Sequence, residues 1–274
     1  MPSTRETRPR LAVWKFSSCD GCQLTLLNCE DQLLELTDYV EISYFAEASS
    51  DLQPGPYDVS LVEGSIATPG DEQRIREIRE QSKVLIAIGA CATAGGVQAL
   101  RNTAAIDEVV AAVYPHPEHI SILATSTAIA DHVEVDGELR GCPIDQDQLI
   151  EVVAALLASR PARIPTTSVC TECKARGHPC IMVTANTPCL GSVTQAGCGA
   201  LCPKFDRGCY GCFGPMESPN TRALADHFSN GGLDEEAITR LFQTFNAASP
   251  PFALEAERQF VGQHRAGRSG KAEA

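Results

Sequence analysis

The chain has 274 residues, enough for one domain and part of a second at about 100–200 residues each. Its 22 Lys and Arg against 35 Asp and Glu give a formal charge of −13, which argues against a nucleic-acid partner, since phosphate neutralisation needs a basic face. Hydrophobic residues make up 43%, sufficient for a buried core, yet no window reaches the roughly 18 apolar residues of a membrane span.

The first residues, MPSTRETRPRLAVWKF, carry three arginines but no apolar targeting core and no Arg-Arg pair, so a cytoplasmic protein is expected. Residues 1–10 read as a flexible tail. An apolar strand follows over 11–16, then a helix over 23–39 with Leu26, Leu27, Leu33 and Leu34 at helical spacing. Strands are predicted over 40–45 and 58–63, and a charged surface helix over 71–81 with Ile75 and Ile78 on its inner stripe. The run KVLIAI over 83–88 is continuously apolar and ends at Gly89, the pattern of a strand buried on both faces of a parallel sheet. Helices are predicted over 106–113 and 146–159, the second capped by Asp145. This alternation predicts an α/β, flavodoxin-like doubly wound parallel sheet over 11–160. A proline-punctuated linker over 160–165 ends it. Residues 165–215 then lose all periodicity, forming a small irregular domain that needs something other than apolar packing to hold it. Two amphipathic C-terminal helices close the chain, 221–229 and 234–246, within a segment 216–260. The last stretch, 262–274, is small and polar and reads as a second flexible tail.

The chemistry lies in thirteen cysteines, an odd number, in a chain with one Trp and five Tyr. Where thiols are kept reduced, such a surplus points to metal before disulfides. Cys19 and Cys22 follow the first strand, Cys91 follows the KVLIAI strand, and Cys142 sits in a later Gly-Cys-Pro loop. The carboxyl ends of strands in an open parallel sheet face one crevice, so these loops deliver sulfurs to one place, as a cubane cluster or an all-cysteine zinc site requires. Eight more cysteines crowd into 43 residues: Cys170, Cys173, Cys180 and Cys189, then Cys198, Cys202, Cys209 and Cys212. Eight is two quartets, each with a single CxxC among glycines and prolines. That density favours ferredoxin-like iron–sulfur binding over two zinc ribbons, which use two CxxC pairs per metal. Cys29 is left over and reads as a small buried hydrophobe. The six histidines are scattered and read as surface or loop residues, His178 alone standing near the quartet Cys170, Cys173, Cys180 and Cys189.

The segments Cys19-x2-Cys22, Val62-Glu63-Gly64-Ser65-Ile66, Gly89-Ala90-Cys91-Ala92 and Gly141-Cys142-Pro143 resemble the small subunit of nickel–iron hydrogenases, which is related to the cluster-bearing subunit of respiratory complex I. Residues 170–215, with Pro188-Cys189-Leu190-Gly191, Cys198-Gly199-Ala200-Leu201-Cys202-Pro203 and Gly208-Cys209-Tyr210-Gly211-Cys212-Phe213-Gly214-Pro215, resemble the cytoplasmic bidirectional branch, and within it the delta subunits of NAD(P)-linked sulfhydrogenases. The resemblance implies an electron-transfer subunit carrying three 4Fe-4S clusters. It implies that Cys19, Cys22, Cys91 and Cys142 hold the proximal cluster, beside the nickel–iron centre of a separate large subunit. It assigns Cys170, Cys173, Cys180 and Cys189 to a distal cluster and Cys198, Cys202, Cys209 and Cys212 to a medial one. Glu63 is implied to lie beside the crevice, positioning the proximal cluster or relaying protons; a carboxylate that simply accepts backbone amides is the plainer alternative. In membrane-bound and periplasmic relatives a His replaces the first distal ligand, where this sequence has Cys170. A thiolate in place of imidazole lowers the potential, by the logic that raises it in Rieske centres, and so suits a low-potential acceptor. The implied partners are the large subunit and flavin/iron–sulfur diaphorase-type subunits that reduce NAD(P). Equivalent deazaflavin-linked or heterodisulfide-reductase-linked hydrogenases, a complex I-like quinone-reductase subunit and a zinc-stabilised scaffold are the alternatives. The chain lacks a second, widely separated CxxC pair to bind nickel, so it is expected to perform no hydrogen chemistry alone.

Overall fold

The computed structural model describes the backbone over residues 8–269 and the side chains over 8–261. Five parallel strands form one sheet: β1 (Arg10–Lys15), β2 (Glu41–Phe45), β3 (Tyr57–Glu63), β4 (Ser82–Ile88) and β5 (Gly137–Leu139), in the order β2-β1-β3-β4-β5. This is the flavodoxin-like order, as the alternating pattern implied. β5 escaped the sequence reading because its three residues are too short to show a period.

Register brings the strand ends level. Lys15 pairs with Glu63, Glu63 with Ile88, and Ile88 with Leu139. These four residues form a row along the carboxyl edge, and each chain segment leaving it carries one of the expected site motifs.

Alternate strand residues feed the two faces. On one, Leu11, Val13, Leu61, Ile86, Ile88 and Leu139 meet residues of α1 (Gly21–Leu27), α2 (Asp31–Tyr39) and the later helix α6 (Gln146–Leu157). On the other, Ala12, Trp14, Val62, Leu85 and Ala87 meet Ile75 and Ile78 of α3 (Pro69–Gln81). Thr68 and Asp71 close a reciprocal capping box on α3, with Pro69 in its first turn, the arrangement that satisfies two orphan N–H groups at once.

The single helix expected over 23–39 is in fact two. Glu30 adopts φ 42°, and the amides of Cys29 and Glu30 turn back to Leu26 and Leu27, so α1 ends and α2 restarts in a new direction. The leucine spacing runs through the break, which is why periodicity alone concealed it. α4 (Gly89–Ala94) and α5 (Ile106–Val113) follow, then α6 (Gln146–Leu157). Asp145 accepts the Gln148 amide at 3.1 Å, the N-cap expected there.

Beyond 160 the elements are short: α7 (Val169–Ala175), α8 (Ile181–Ala185) and α9 (Leu201–Lys204). The apolar cluster of this region is small: Val169, Ile181, Cys189, Ala200 and Cys209 are its buried members. α10 (Thr221–Asn230), α11 (Glu235–Phe242) and α12 (Pro250–Ser269) bury Leu224, Phe228, Ile238, Phe242 and Phe252 against Leu190 and Val193. The C-terminal helices are therefore bolted to the cysteine-rich segment. The flexible tail expected over 262–274 is helical as far as Ser269. Pro250 and Pro251 open the helix, where proline fits, and the Ala, Arg and Gln beyond them propagate a helix well. Residues 1–7 and 270–274, parts of the two expected tails, lie outside the described residues.

Candidate metal centres

Cys19 and Cys22 flank the start of α1, where Asp20 takes a left-handed conformation at φ 66° and turns the chain onto the carboxyl edge. Cys19 is exposed and Cys22 is buried. Glu63, only 2% exposed, ends β3 beneath them. Its Oε1 accepts the Cys22 amide at 3.1 Å and its Oε2 the Gln23 amide at 3.3 Å. A carboxylate at a helix N-terminus satisfies orphan donors, so Glu63 acts on Cys22 through its backbone. Burial pushes its carboxyl above the usual range, and those two amides pull it back.

Gly89 starts α4 at φ +84°, and a Cβ added there would lie 2.4 Å from the Cys22 sulfur. The thiol thus rests on bare backbone. Cys91 follows Ala90, whose amide donates to Gly141 O at 2.7 Å, stitching the Cys91 loop to that of Cys142. Gln98 stands against the Cys91 sulfur at 3.6 Å through Nε2, which also donates to Ser17 O at 2.6 Å. Burial pushes Cys91 up to about 11 despite the Gln98 contact, with Cys142, Cys19 and Glu63 adding to the rise. Burial, then Glu63, then Cys91 and Cys142 likewise push Cys22 up. Burial, then Cys19 and Glu63 do the same to Cys142. Cys22, Cys91 and Cys142 are thus close enough to act on one another through charge, with Cys19 acting on Cys91 and Cys142.

Gly89→Ala is expected to strip metal from this crevice, because it combines left-handed strain of about 1–2 kcal/mol with a collision against a sulfur. Gly177→Ala is the control: φ is +70° there, with nothing within 4 Å of the new Cβ. Iron per chain in the two variants checks this, with loss expected in Gly89→Ala and none in Gly177→Ala.

In the second region, Cys170 and Cys173 ride on α7, Cys180 caps α8, and Cys189 precedes a 3-10 turn over Leu190–Ser192. After burial, Cys189, Cys173 and Cys180 are the causes that raise Cys170, so these four are also neighbours. Cys180 is exposed. The ring of His178 lies in the same loop, with its Nε2 buried and no protein partner.

Cys198, Cys202, Cys209 and Cys212 line one cavity of about 230 Å³, closed by Val169, Leu201 and Phe213 and, from the sheet domain, by Cys142, Pro143, Ile144 and Asp145. Burial lifts Cys212 to about 12, helped by Cys198, Cys202 and Cys142. Asn246 holds its loop, donating to Gly211 O at 2.9 Å and Cys212 O at 3.1 Å. At the far side the Cys209 amide donates to the Cys189 sulfur at 3.2 Å. The three sulfur groups therefore stand in a row: Cys142 adjoins Cys212, and Cys209 adjoins Cys189. Thiols held this high are protonated alone at neutral pH, and a metal must displace those protons. Soft sulfur donors around a hollow of this volume fit a polynuclear cluster; a zinc ion, with Zn–S near 2.3 Å, fills little of it.

Cys29 stands apart, its sulfur donating to Thr25 O at 3.3 Å. Gln98, Gln148 and Glu172, each on or beside a cysteine loop, were not legible in the sequence, since an isolated Gln or Glu carries no spacing signal. His132, read as a surface or loop residue, lies in a turn, half-buried, and bonds Thr127 Oγ1 through Nε2 at 2.7 Å.

A family described as the NADH ubiquinone oxidoreductase 20 kDa subunit matches residues 19–156. The delta subunit of sulfhydrogenase 2 from Pyrococcus furiosus is 34% identical over 86% of this chain and 98% of its own. A component of the F420-non-reducing vhu hydrogenase from Methanocaldococcus jannaschii is 34% identical over 76% of this chain and 82% of its own. Among solved structures, a chain of an NAD+-reducing [NiFe]-hydrogenase in the H2-reduced state superposes with a TM-score of 0.53 at 24% identity, covering 58% of this chain and 96% of that one. Among the described residues, no helix is long and apolar enough to cross a membrane.

Proposed function

This chain belongs to the small subunits of the nickel–iron hydrogenase family, and we propose that it relays electrons through three 4Fe-4S clusters between the Ni-Fe site of a separate large subunit and an NAD(P)-reducing flavin/iron–sulfur partner in the cytoplasm. Cys19, Cys22, Cys91 and Cys142 hold the proximal cluster; Cys198, Cys202, Cys209 and Cys212 the medial one; Cys170, Cys173, Cys180 and Cys189 the distal one. The clusters supply one-electron exchange, and the protein supplies their positions, burial and hydrogen bonds. Glu63 positions the proximal site by gripping the amides of Cys22 and Gln23.

The observation that carries this reading is the row of three sulfur groups, joined by the neighbouring pairs Cys142 with Cys212 and Cys209 with Cys189. A row has two ends. Cys19 is exposed at one and Cys180 at the other, with Val183 beside Cys180 83% exposed, which suits a partner at each. The NAD(P) acceptor is supported by the resemblance of residues 170–215 to the delta subunits of NAD(P)-linked sulfhydrogenases and by the all-cysteine ligand set. The F420-non-reducing relative favours a second reading, the same relay in a complex whose acceptor is neither NAD(P) nor the deazaflavin F420, such as a heterodisulfide-reductase-linked one. Identification of the co-purifying subunits separates the two.

Metal analysis with electron paramagnetic resonance on the purified complex tests the cluster count. About twelve iron per chain, the sum of three cubanes, is expected. Three zinc and no iron would overturn the relay and leave a scaffold.

A further inference from the structure

One residue, Gly197, ties the three cysteine groups together through the peptide units on its two sides. The Gly197 amide donates to Glu172 Oε1 at 3.0 Å, and its carbonyl accepts from Gln148 Nε2 at 3.0 Å. The other carboxylate oxygen of Glu172 accepts the Ala200 amide at 3.2 Å. Glu172 thus brackets Cys198, taking an amide from each side of it. Glu172 lies on α7 between Cys170 and Cys173, while Gln148 lies on α6, six residues after Cys142. Only glycine serves at the held position: φ is +133°, and a Cβ would lie 2.1 Å from Gln148 Nε2. Just past the end of α7, Arg176 Nη2 covers Gly199, where a Cβ would meet it at 2.8 Å.

Resting on the cluster reading above, we propose that Glu172 is a positioning residue for the medial cluster, holding the Cys198 loop against the helix that carries the distal ligands, with Gln148 bracing the same loop from the sheet domain. Two physical effects follow. Amides that donate to cluster sulfurs raise a potential, and Glu172 keeps the Gly197 and Ala200 amides, one on each side of Cys198, on its own oxygens instead. Its carboxylate also places negative charge between the medial and distal groups. Both effects hold the medial cluster at low potential, the direction a pyridine-nucleotide acceptor needs.

The test uses the whole hydrogenase complex carrying Glu172→Gln, Glu172→Ala or Gln148→Leu, read by iron content and by redox titration followed by electron paramagnetic resonance. Glu172→Gln is expected to keep its iron while the medial midpoint rises and the proximal one stays in place. Glu172→Ala, which leaves both amides without an acceptor, is expected to lose up to about a third of the iron, one cubane in three. Gln148→Leu is expected to alter the medial signal alone, and it serves should Glu172→Gln fail to assemble. Unchanged medial signals in both Glu172→Gln and Gln148→Leu overturn the assignment. A wild-type complex without three four-iron signals instead overturns the relay itself.

Discussion

Replacing Cys22 by Ser is expected to stop electron flow from dihydrogen to the physiological acceptor, by well over the roughly 10- to 100-fold that follows loss of a group merely supporting a ligand. The cysteine-rich segment is expected to remain folded. Cys22 is the most enclosed of its group, 6% exposed, with its sulfur against Gly89 and its amide on Glu63. A hydroxyl in that place is a harder, less readily ionised donor than a thiolate. Cys29→Ser is the matched control, since Cys29 is also buried and its bond to Thr25 O is one a hydroxyl can make. Turnover with the natural acceptor, together with hydrogen exchange over 165–215, reads both outcomes. Retained turnover in Cys22→Ser would show that the proximal assignment is wrong.

Stripping iron with a chelator under reducing conditions should melt the cysteine-rich segment and spare the sheet. Residues 165–215 build a small apolar cluster, two of whose buried members are cysteines, and beyond the short helices α7, α8 and α9 their strand-like pairing consists of isolated bridges such as Ser168 with Gln195 and Thr194 with Pro215. Structural metal sites supply on the order of 10 kcal/mol of folding free energy, more than such a core provides. The sheet has two full apolar faces and does not depend on that contribution. Hydrogen exchange of the iron-depleted chain is therefore expected to show lost protection over 165–215 and retained protection in β1, β3 and β4. Because α10, α11 and α12 share Leu190 and Val193 with the melted part, they should loosen next. Equal protection in both regions would contradict this order.

The sheet was legible because parallel strands buried on both faces leave an unmistakable mark: KVLIAI ends where β4 ends, and Asp145 caps α6 as its side-chain type suggests. Spacing and glycine context survive in one dimension, which is why the sequence alone could set twelve cysteines apart from Cys29 as a proposed ligand set. What a sequence cannot display is a turn that interrupts a leucine period, as at Glu30, or a strand of three residues, as in β5. It also hides which polar side chains reach across from another element. Glu63 could be singled out by its motif, yet its grip on the Cys22 and Gln23 amides depends on β3 ending level with β1. Glu172 and Gln148 meet Gly197 from 25 and 49 positions away, a distance that no local pattern encodes.

The hollow shared by Cys198, Cys202, Cys209 and Cys212 is walled partly by Pro143 and Ile144. The Phe213 ring sits close to both Gly141 and Gly197, 3.1 Å from where either would carry a Cβ. The cysteine-rich segment is therefore no interchangeable cassette. Recombination between relatives that joined one parent's sheet to another's ligand-bearing segment would bring together mismatched surfaces at residues 141–148, and a viable hybrid must inherit that loop and Phe213 from the same ancestor.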